Sequence, residues 1–421
     1  MDLSTNALTG SLPSSLGGLT GLQRLVVSEN QITGALPDSI FRIGTLQNLA
    51  FDRNRIGGSL PPSFGNLANL MFLQGTANQL TGTIPEFVGR STGLRFFDVR
   101  ENNLHGTIPD FSSRSLMSTF AANNNNLTGR IPISLTRLQS LGLLSVSSNR
   151  LTGRLPPFAA RGGNLIGLYI DDNYNITGSL HRLVLTLPAT VAVLSLADSL
   201  LSGTIPSRIG TFSDLQLLLL ANSQLVGEVP TEIGLLPRLE FLYLNGNNLG
   251  GTVPTEIGQL GSLGVMDLAD NQIGGSIPST IGNCVRLSSL RTSQSLISGR
   301  FDGLVDALPP SLEILDMNGG MLSGVVPSTI ARLSKLRRLA LFRNEIEGSL
   351  PTELGLLTAL TNARLSLNRF NGTLPQELAG MTDLAALDIS ENMLSGSPSV
   401  LSELPSLGKF SWYNCVVEEK L

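Results

Sequence analysis

Side chains able to do covalent or metal chemistry are few and far apart in this chain. Two histidines, His105 and His181, and two cysteines, Cys284 and Cys415, occur in 421 residues. If each sequence repeat adds one strand about 4.8 Å from the last, the histidines stand roughly 15 Å apart and the cysteines roughly 25 Å. A disulfide needs Cα atoms within about 7 Å, and a metal needs its ligands around one point, so neither pair forms a site. No Ser–His or Cys–His arrangement falls at a spacing that would activate a nucleophile. The expectation is a protein without catalysis, metal or cofactor, with both histidines in loops.

Asparagine is the residue type that carries a pattern. Asn6, Asn30, Asn54, Asn78, Asn102, Asn125, Asn149, Asn173, Asn247, Asn271, Asn344, Asn368 and Asn392 recur in one register, with Ser199, Ser223, Ser295 and Gly320 filling the gaps. Thirteen of the sixteen intervals between positions 6 and 392 are 24 residues long. A fixed period of this size marks a solenoid, in which each repeat buries its apolar face only against its neighbours. An amide carries a donor and an acceptor at one end, so an inward asparagine can bridge one coil to the next where a buried bend leaves backbone groups unpaired. Serine can do part of this. Gly320 cannot, and a local distortion or a bound water is expected there.

One repeat, residues 239–257 (LEFLYLNGNNLGGTVPTEI), shows the elements that must position these asparagines. Leu242 and Leu244 alternate with Phe241, Tyr243 and Asn245, the period of a strand with one buried face. Gly251 permits a tight turn, and Val253-Pro254 makes a short extended segment. Fourteen repeats carry this Gly-x-[Ile/Leu/Val]-Pro step. The following TEIGQL is too short for a full helix and fits one or two turns of 3₁₀. Residues 179–198 and 300–319 lose the Ile-Pro step and should carry a different convex segment.

The 45 glycines and 22 prolines recur in register, unlike those of a disordered linker. Net charge is −4 with both signs scattered, so no block suits nucleic acid or a membrane surface. No apolar run approaches the roughly 18 residues of a membrane span.

Segments such as LTGSLPSSLGGLTGLQRL and LSGTIPSRIGTFSDLQLL resemble the plant-type leucine-rich repeat, over essentially the whole chain. The fold expected is an α/β solenoid over residues 1–421. It comprises about eighteen strands, with a final partial repeat at 407–417 in which Leu407, Phe410, Trp412 and Val417 keep the inward register and Trp412 lids the core. The resemblance implies a right-handed superhelix with a long concave parallel sheet, short second-sheet strands and 3₁₀ or short helical convex segments. It also implies a recognition surface for a protein or peptide ligand, with a co-receptor as an additional partner. The setting it implies is the extracellular part of a receptor-like protein; the alternative is a secreted inhibitor or scaffold that binds another protein. Cysteine-paired caps, a membrane span and a kinase domain have no counterpart here. Because Met1 and Leu3 already occupy strand positions of a repeat, the expectation is that the natural protein continues upstream.

Residues six and four before each ladder position point outward. In mid-array they become apolar and aromatic: Val193, Leu217, Leu219, Phe241, Tyr243 and Val265, with Tyr169 nearby. They form either an exposed contact patch or strand starts half covered by the preceding loop. Asp171, Asp172, Asp198, Asp267 and Asp270 around them either steer a basic peptide or keep the face soluble. Arg338, Arg343 and Arg364, with Phe342, form a basic cluster that suits a carboxylate or is a solvated charged face. Asn126, Asn175 and Asn371 head Asn-x-Ser/Thr sequons, candidates for glycosylation in a secreted protein.

Overall fold

The computed structural model describes residues 1–158, 163–413 and 415. Two compact units emerge, residues 1–202 and 203–421. Val417, read as an inward residue of the last repeat, lies outside the described residues.

Each unit is built from the same coil. In the first, parallel strands Arg24–Val26, Asn48–Ala50, Phe72–Gln74, Phe96–Asp98, Thr119–Ala121, Leu143–Ser145, Gly167–Tyr169 and Val193–Ser195 pair in sequence order. In the second, the main sheet runs in the same way from Leu217–Leu219 to Lys409–Ser411. Pairing is residue for residue, so every sequence column becomes a physical row. The middle column shows this best. Leu25, Leu49, Leu73, Phe97, Phe120, Leu144, Leu168 and Leu194 are all fully buried, each contributing about 1.5–3 kcal/mol by leaving water.

The bend after each strand is held by the asparagines. Asn271 is typical: its Nδ2 donates to the carbonyls of Leu268 and Ala269 in its own coil and of Leu244 in the coil before. Its Oδ1 accepts the Leu249 N–H at 3.0 Å. The same bridge recurs at Asn30, Asn54, Asn78, Asn102, Asn125, Asn149, Asn173, Asn247, Asn344, Asn368 and Asn392. The Asn6 side chain donates within its own coil, to the Leu3 and Ser4 carbonyls. Ser295 likewise reaches Thr292 three residues back, because a hydroxyl is too short to span coils. Gly320 does not bring the expected distortion. Gly319 before it has φ +65°, close to the +67° of Gly246 before Asn247, so the bend keeps its common form without the side chain.

That bend contains a feature that residue types conceal. The residue before each ladder position is left-handed, with φ between 50° and 57° at fifteen non-glycine residues, among them Arg53, Ala77 and Leu367. This conformation costs an L-residue about 1–2 kcal/mol. Inter-coil bonds offset the cost: Glu29 N–H donates to Asp52 O, Arg53 N–H to Thr76 O and Ala77 N–H to Arg100 O.

Beyond the ladder, Gly251 is at φ +69°, and Pro254 (φ −68°, ψ 143°) leads directly into the 3₁₀ turn Thr255–Gln259. Departures from the 24-residue period are absorbed on this side. The long repeats place α-helices at Leu180–Thr186 and Phe301–Ala307, the first with the Ser179 hydroxyl accepting the Arg182 N–H. At the far end Phe410, paired with Leu387, is 40% exposed, and Trp412 is half-buried with its ring 6.3 Å from that of Phe410.

Coils also compensate for each other's side-chain sizes. Gly75 fills an inward slot held by Val27, Phe51 and Val99 in neighbouring coils, and a Cβ there would lie 2.5 Å from the Phe51 ring. The ring of one coil occupies the room that the next leaves empty.

Two outcomes follow for chemical denaturation. Asn271→Ala should cost about 1–3 kcal/mol by stranding buried backbone groups, while exposed Asn248→Ala stays within about 0.5 kcal/mol. Equal costs would contradict the bridging role. Gly75→Val should cost about 1–3 kcal/mol by overpacking, and Phe51→Leu in the same chain should recover part of that loss. Strictly additive costs would show that the two sites do not share one space.

Candidate functional site

The outward residues of the main sheet form the surface with the most varied chemistry. In the second unit Leu217, Phe241 and Val265 stand in one row, and Leu219, Tyr243 and Asp267 in the next. Phe241 is 39% exposed; Leu217, Leu219, Tyr243 and Val265 are half-buried. Five apolar or aromatic side chains thus share three adjacent strands. Tyr169 and Val193, both half-buried, belong to the main sheet of the first unit.

Several of the charged residues around them are paired rather than merely solvated. Asp267 is only 7% exposed and lies 3.7 Å from Arg291, and burial pushes its carboxyl above the usual carboxylate range. The Ala269 N–H and Arg291 oppose that rise, whereas Asp316 and Asp270 add to it. Asp316, in register with Arg291, takes Arg338 Nη2 at 2.8 Å and the Asn318 amide at 2.6 Å. Arg338 therefore differs from Arg343 and Arg364, which are exposed. Its Nε is buried without a partner, so it keeps one donor beside the Asp316 pair.

In the first unit Asp98 is buried and held bidentately by Arg100, Nε–Oδ1 2.9 Å and Nη2–Oδ2 2.7 Å. Asp171 Oδ1 accepts the hydroxyls of Ser147 and Ser195. The first pairs residues two apart on one coil, whereas the second depends on neighbours that the 24-residue period delivers.

His105 and His181 are exposed, but they are not loop residues: one begins the strand His105–Thr107 and the other lies in the helix Leu180–Thr186. Both cysteines are unpaired; Cys284 is buried, its thiol pushed up to about 11 by burial. Among the described residues no group of histidine, cysteine and carboxylate side chains could hold a metal ion, and no helix is long and apolar enough to cross a membrane. Asn126, Asn175 and Asn371 all lie on short strands beyond the ladder, half-buried at 126 and exposed at 175 and 371.

Asp52 offers a direct electrostatic test. Burial raises its carboxyl pKa despite hydrogen bonds from the Thr76 N–H and the Ser28 hydroxyl, and nearby Asp98 adds to the rise. A raised folded-state pKa means that the folded protein favours the neutral acid and loses stability as pH climbs through that pKa. Asp52→Asn should therefore melt above the parent at pH 7, with the gap closing below the unfolded aspartate's pKa of about 3.9. A variant that melts lower at pH 7 would show that the hydrogen bonds outweigh desolvation.

Comparison with known proteins agrees with the coil geometry. The Leucine Rich Repeat family model matches residues 45–67, 238–260 and 262–284. Comparison with curated protein sequences finds no match. Among solved structures, the Arabidopsis receptor kinase HAESA ectodomain, in complex with an extended IDA peptide hormone, superposes with TM-score 0.87. It is 28% identical, with 100% of this chain and 74% of that chain covered. The Arabidopsis thaliana receptor kinase GASSHO1/SCHENGEN3 ectodomain, in complex with CASPARIAN STRIP INTEGRITY FACTOR 2, gives 0.86 at 30% identity over 99% of this chain. The chain spans 53% of that ectodomain's length. A Leptospira interrogans leucine-rich-repeat protein gives 0.64 at 25% identity, with 97% of this chain and 94% of that one covered.

Proposed function

We propose that this leucine-rich-repeat protein is a recognition module that binds a protein or peptide segment across Leu217, Leu219, Phe241, Tyr243 and Val265. The observation that carries the reading is the row register in the second unit. It puts five apolar or aromatic side chains side by side on the open face of a rigid sheet. Contiguous apolar exposure of this kind marks contact sites, and aromatic anchors contribute most of the energy there. The parallel rows give an extended peptide alternate pockets along its length. Support also comes from the similar receptor ectodomains, among them HAESA, which was solved twice with the peptide hormone IDA.

In this reading the protein acts outside the cell, as the ligand-binding part of a receptor-like protein with a co-receptor as a further partner. The HAESA complex that includes the co-receptor SERK1 supports that role. The exposed Arg343 and Arg364, beside the half-buried Arg338, receive a ligand carboxylate. Glycans on Asn126, Asn175 and Asn371 occupy the short-strand side and leave the main-sheet face open.

Selection from a random displayed-peptide library tests the proposal with a defined probe. Peptides selected on the parent should lose nearly all binding to the Phe241→Ser/Tyr243→Ser double variant, since each anchor lost costs about 2 kcal/mol or more. The variant's melting temperature should change little. Selected peptides that bind parent and variant equally would rule this surface out.

A further inference from the structure

We propose that the open sheet face of the first unit carries a separate binding site for a neutral oligosaccharide, in the depression between Arg100 and Asp171. The depression encloses about 480 Å³. Its polar wall comes from one column, Arg100, Asn123, Ser147 and Asp171, each two residues before a ladder asparagine. Consecutive members are one strand spacing apart, so the wall runs about 14 Å from guanidinium to carboxylate. Ser145 and Ser195, from the adjoining column, line the same space.

The hydrogen bonds already made define what remains for a ligand. Arg100 spends Nε and Nη2 on Asp98, which leaves Nη1 as a donor whose charge is already balanced. Asn123 Oδ1 accepts the Ser145 hydroxyl, leaving its amide hydrogens as donors. Asp171 receives both serine hydroxyls on Oδ1, leaving Oδ2 as an acceptor. Donors at one end and a carboxylate oxygen at the other match a ligand rich in hydroxyl groups, each of which both donates and accepts.

The apolar wall is one aromatic ring, laid flat by the absence of a side chain. A Cβ on Gly167 would lie 2.9 Å from Tyr169 Cε2 and 2.8 Å from Leu143 Cδ1. The ring therefore folds over its own strand, against Leu143, and offers one broad face. Burial and the nearby Asp171 both raise the pKa of its phenol, which stays neutral. A flat neutral ring beside fixed amide and carboxylate groups suits the C–H face and hydroxyl edge of a pyranose.

Other ligand classes fit less well. A peptide interface draws on several apolar anchors, and here only Tyr169 and Leu143 break an otherwise polar lining. An anion would meet Asp98, Asp171 and Asp172 beside a single, already paired arginine.

Saturation-transfer NMR with a panel of short neutral gluco-, xylo- and manno-oligosaccharides tests the site on the full chain. At least one should receive saturation. Asp171→Asn should weaken it by about tenfold or more, the scale of one lost charge-assisted hydrogen bond, and Tyr169→Ala, which removes the ring face, should weaken it clearly as well. Gly167→Ala, which keeps every polar group but lifts the ring, should weaken binding too. Phe241→Ser/Tyr243→Ser should leave it unchanged, which separates this site from the proposed peptide surface. Melting curves that match the parent's will show that the variants fold. No transfer to any sugar, or equal binding by parent and variants, would overturn the proposal. So would loss of a selected peptide, rather than a sugar, in Tyr169→Ala.

Discussion

A chain that turns inward after every strand must bury backbone N–H and C=O groups that no regular ladder can pair. The asparagine at each bend resolves this. Its amide gives hydrogens to carbonyls of its own coil and of the coil before, and takes a backbone N–H in return. Because each bridge joins two coils, the bends must repeat in register, and that requirement fixes the 24-residue spacing. Length changes are tolerated only where the ladder is not involved. The helices Leu180–Thr186 and Phe301–Ala307 show it, since both lie between one ladder position and the next.

The same constraint governs the surface. Once the inward leucines and asparagines hold the register, the outward residues are stacked in rows at strand spacing, and neighbours in a row are about 24 residues apart in sequence. Substitution at outward positions changes recognition chemistry without touching the core. The second unit turns this freedom into an apolar row at Leu217, Phe241 and Val265. The first unit turns it into serines, an asparagine, an arginine and an aspartate around Tyr169. The proposed peptide surface and the proposed sugar site are two uses of one scaffold.

The periodicity made the coil, the buried leucine column, the ladder and the 3₁₀ turns legible, because each is set by residues that recur at fixed offsets. What stayed hidden depends on neighbours about 24 residues away or on the backbone alone. The left-handed residue before each ladder position is sometimes an Asn or Asp, which favour that region, but also Glu29, Arg53, Ala77 or Leu367, which do not; there the surrounding hydrogen bonds impose the conformation. Asp267 reads as an outward acid, but its coil and Arg291 bury it. Gly75 reads as a lost leucine until Phe51 of the coil before is seen to fill its place. The pairing of Asp98 with Arg100 and the ring of Tyr169 beside Gly167 depend instead on residues two apart along one coil.

Native-state hydrogen exchange at the amides that donate to ladder side chains probes the central constraint most directly. The N–H groups of Leu127, Leu249 and Phe370 end on the Oδ1 atoms of Asn149, Asn271 and Asn392. If the ladder holds the coils together, these protons should exchange only when a whole group of coils opens, as slowly as the buried strand amides and with the same denaturant dependence. Exchange as fast as that of the exposed turn amides, without that dependence, would mean that the bridges are incidental and that leucine packing alone sets the fold.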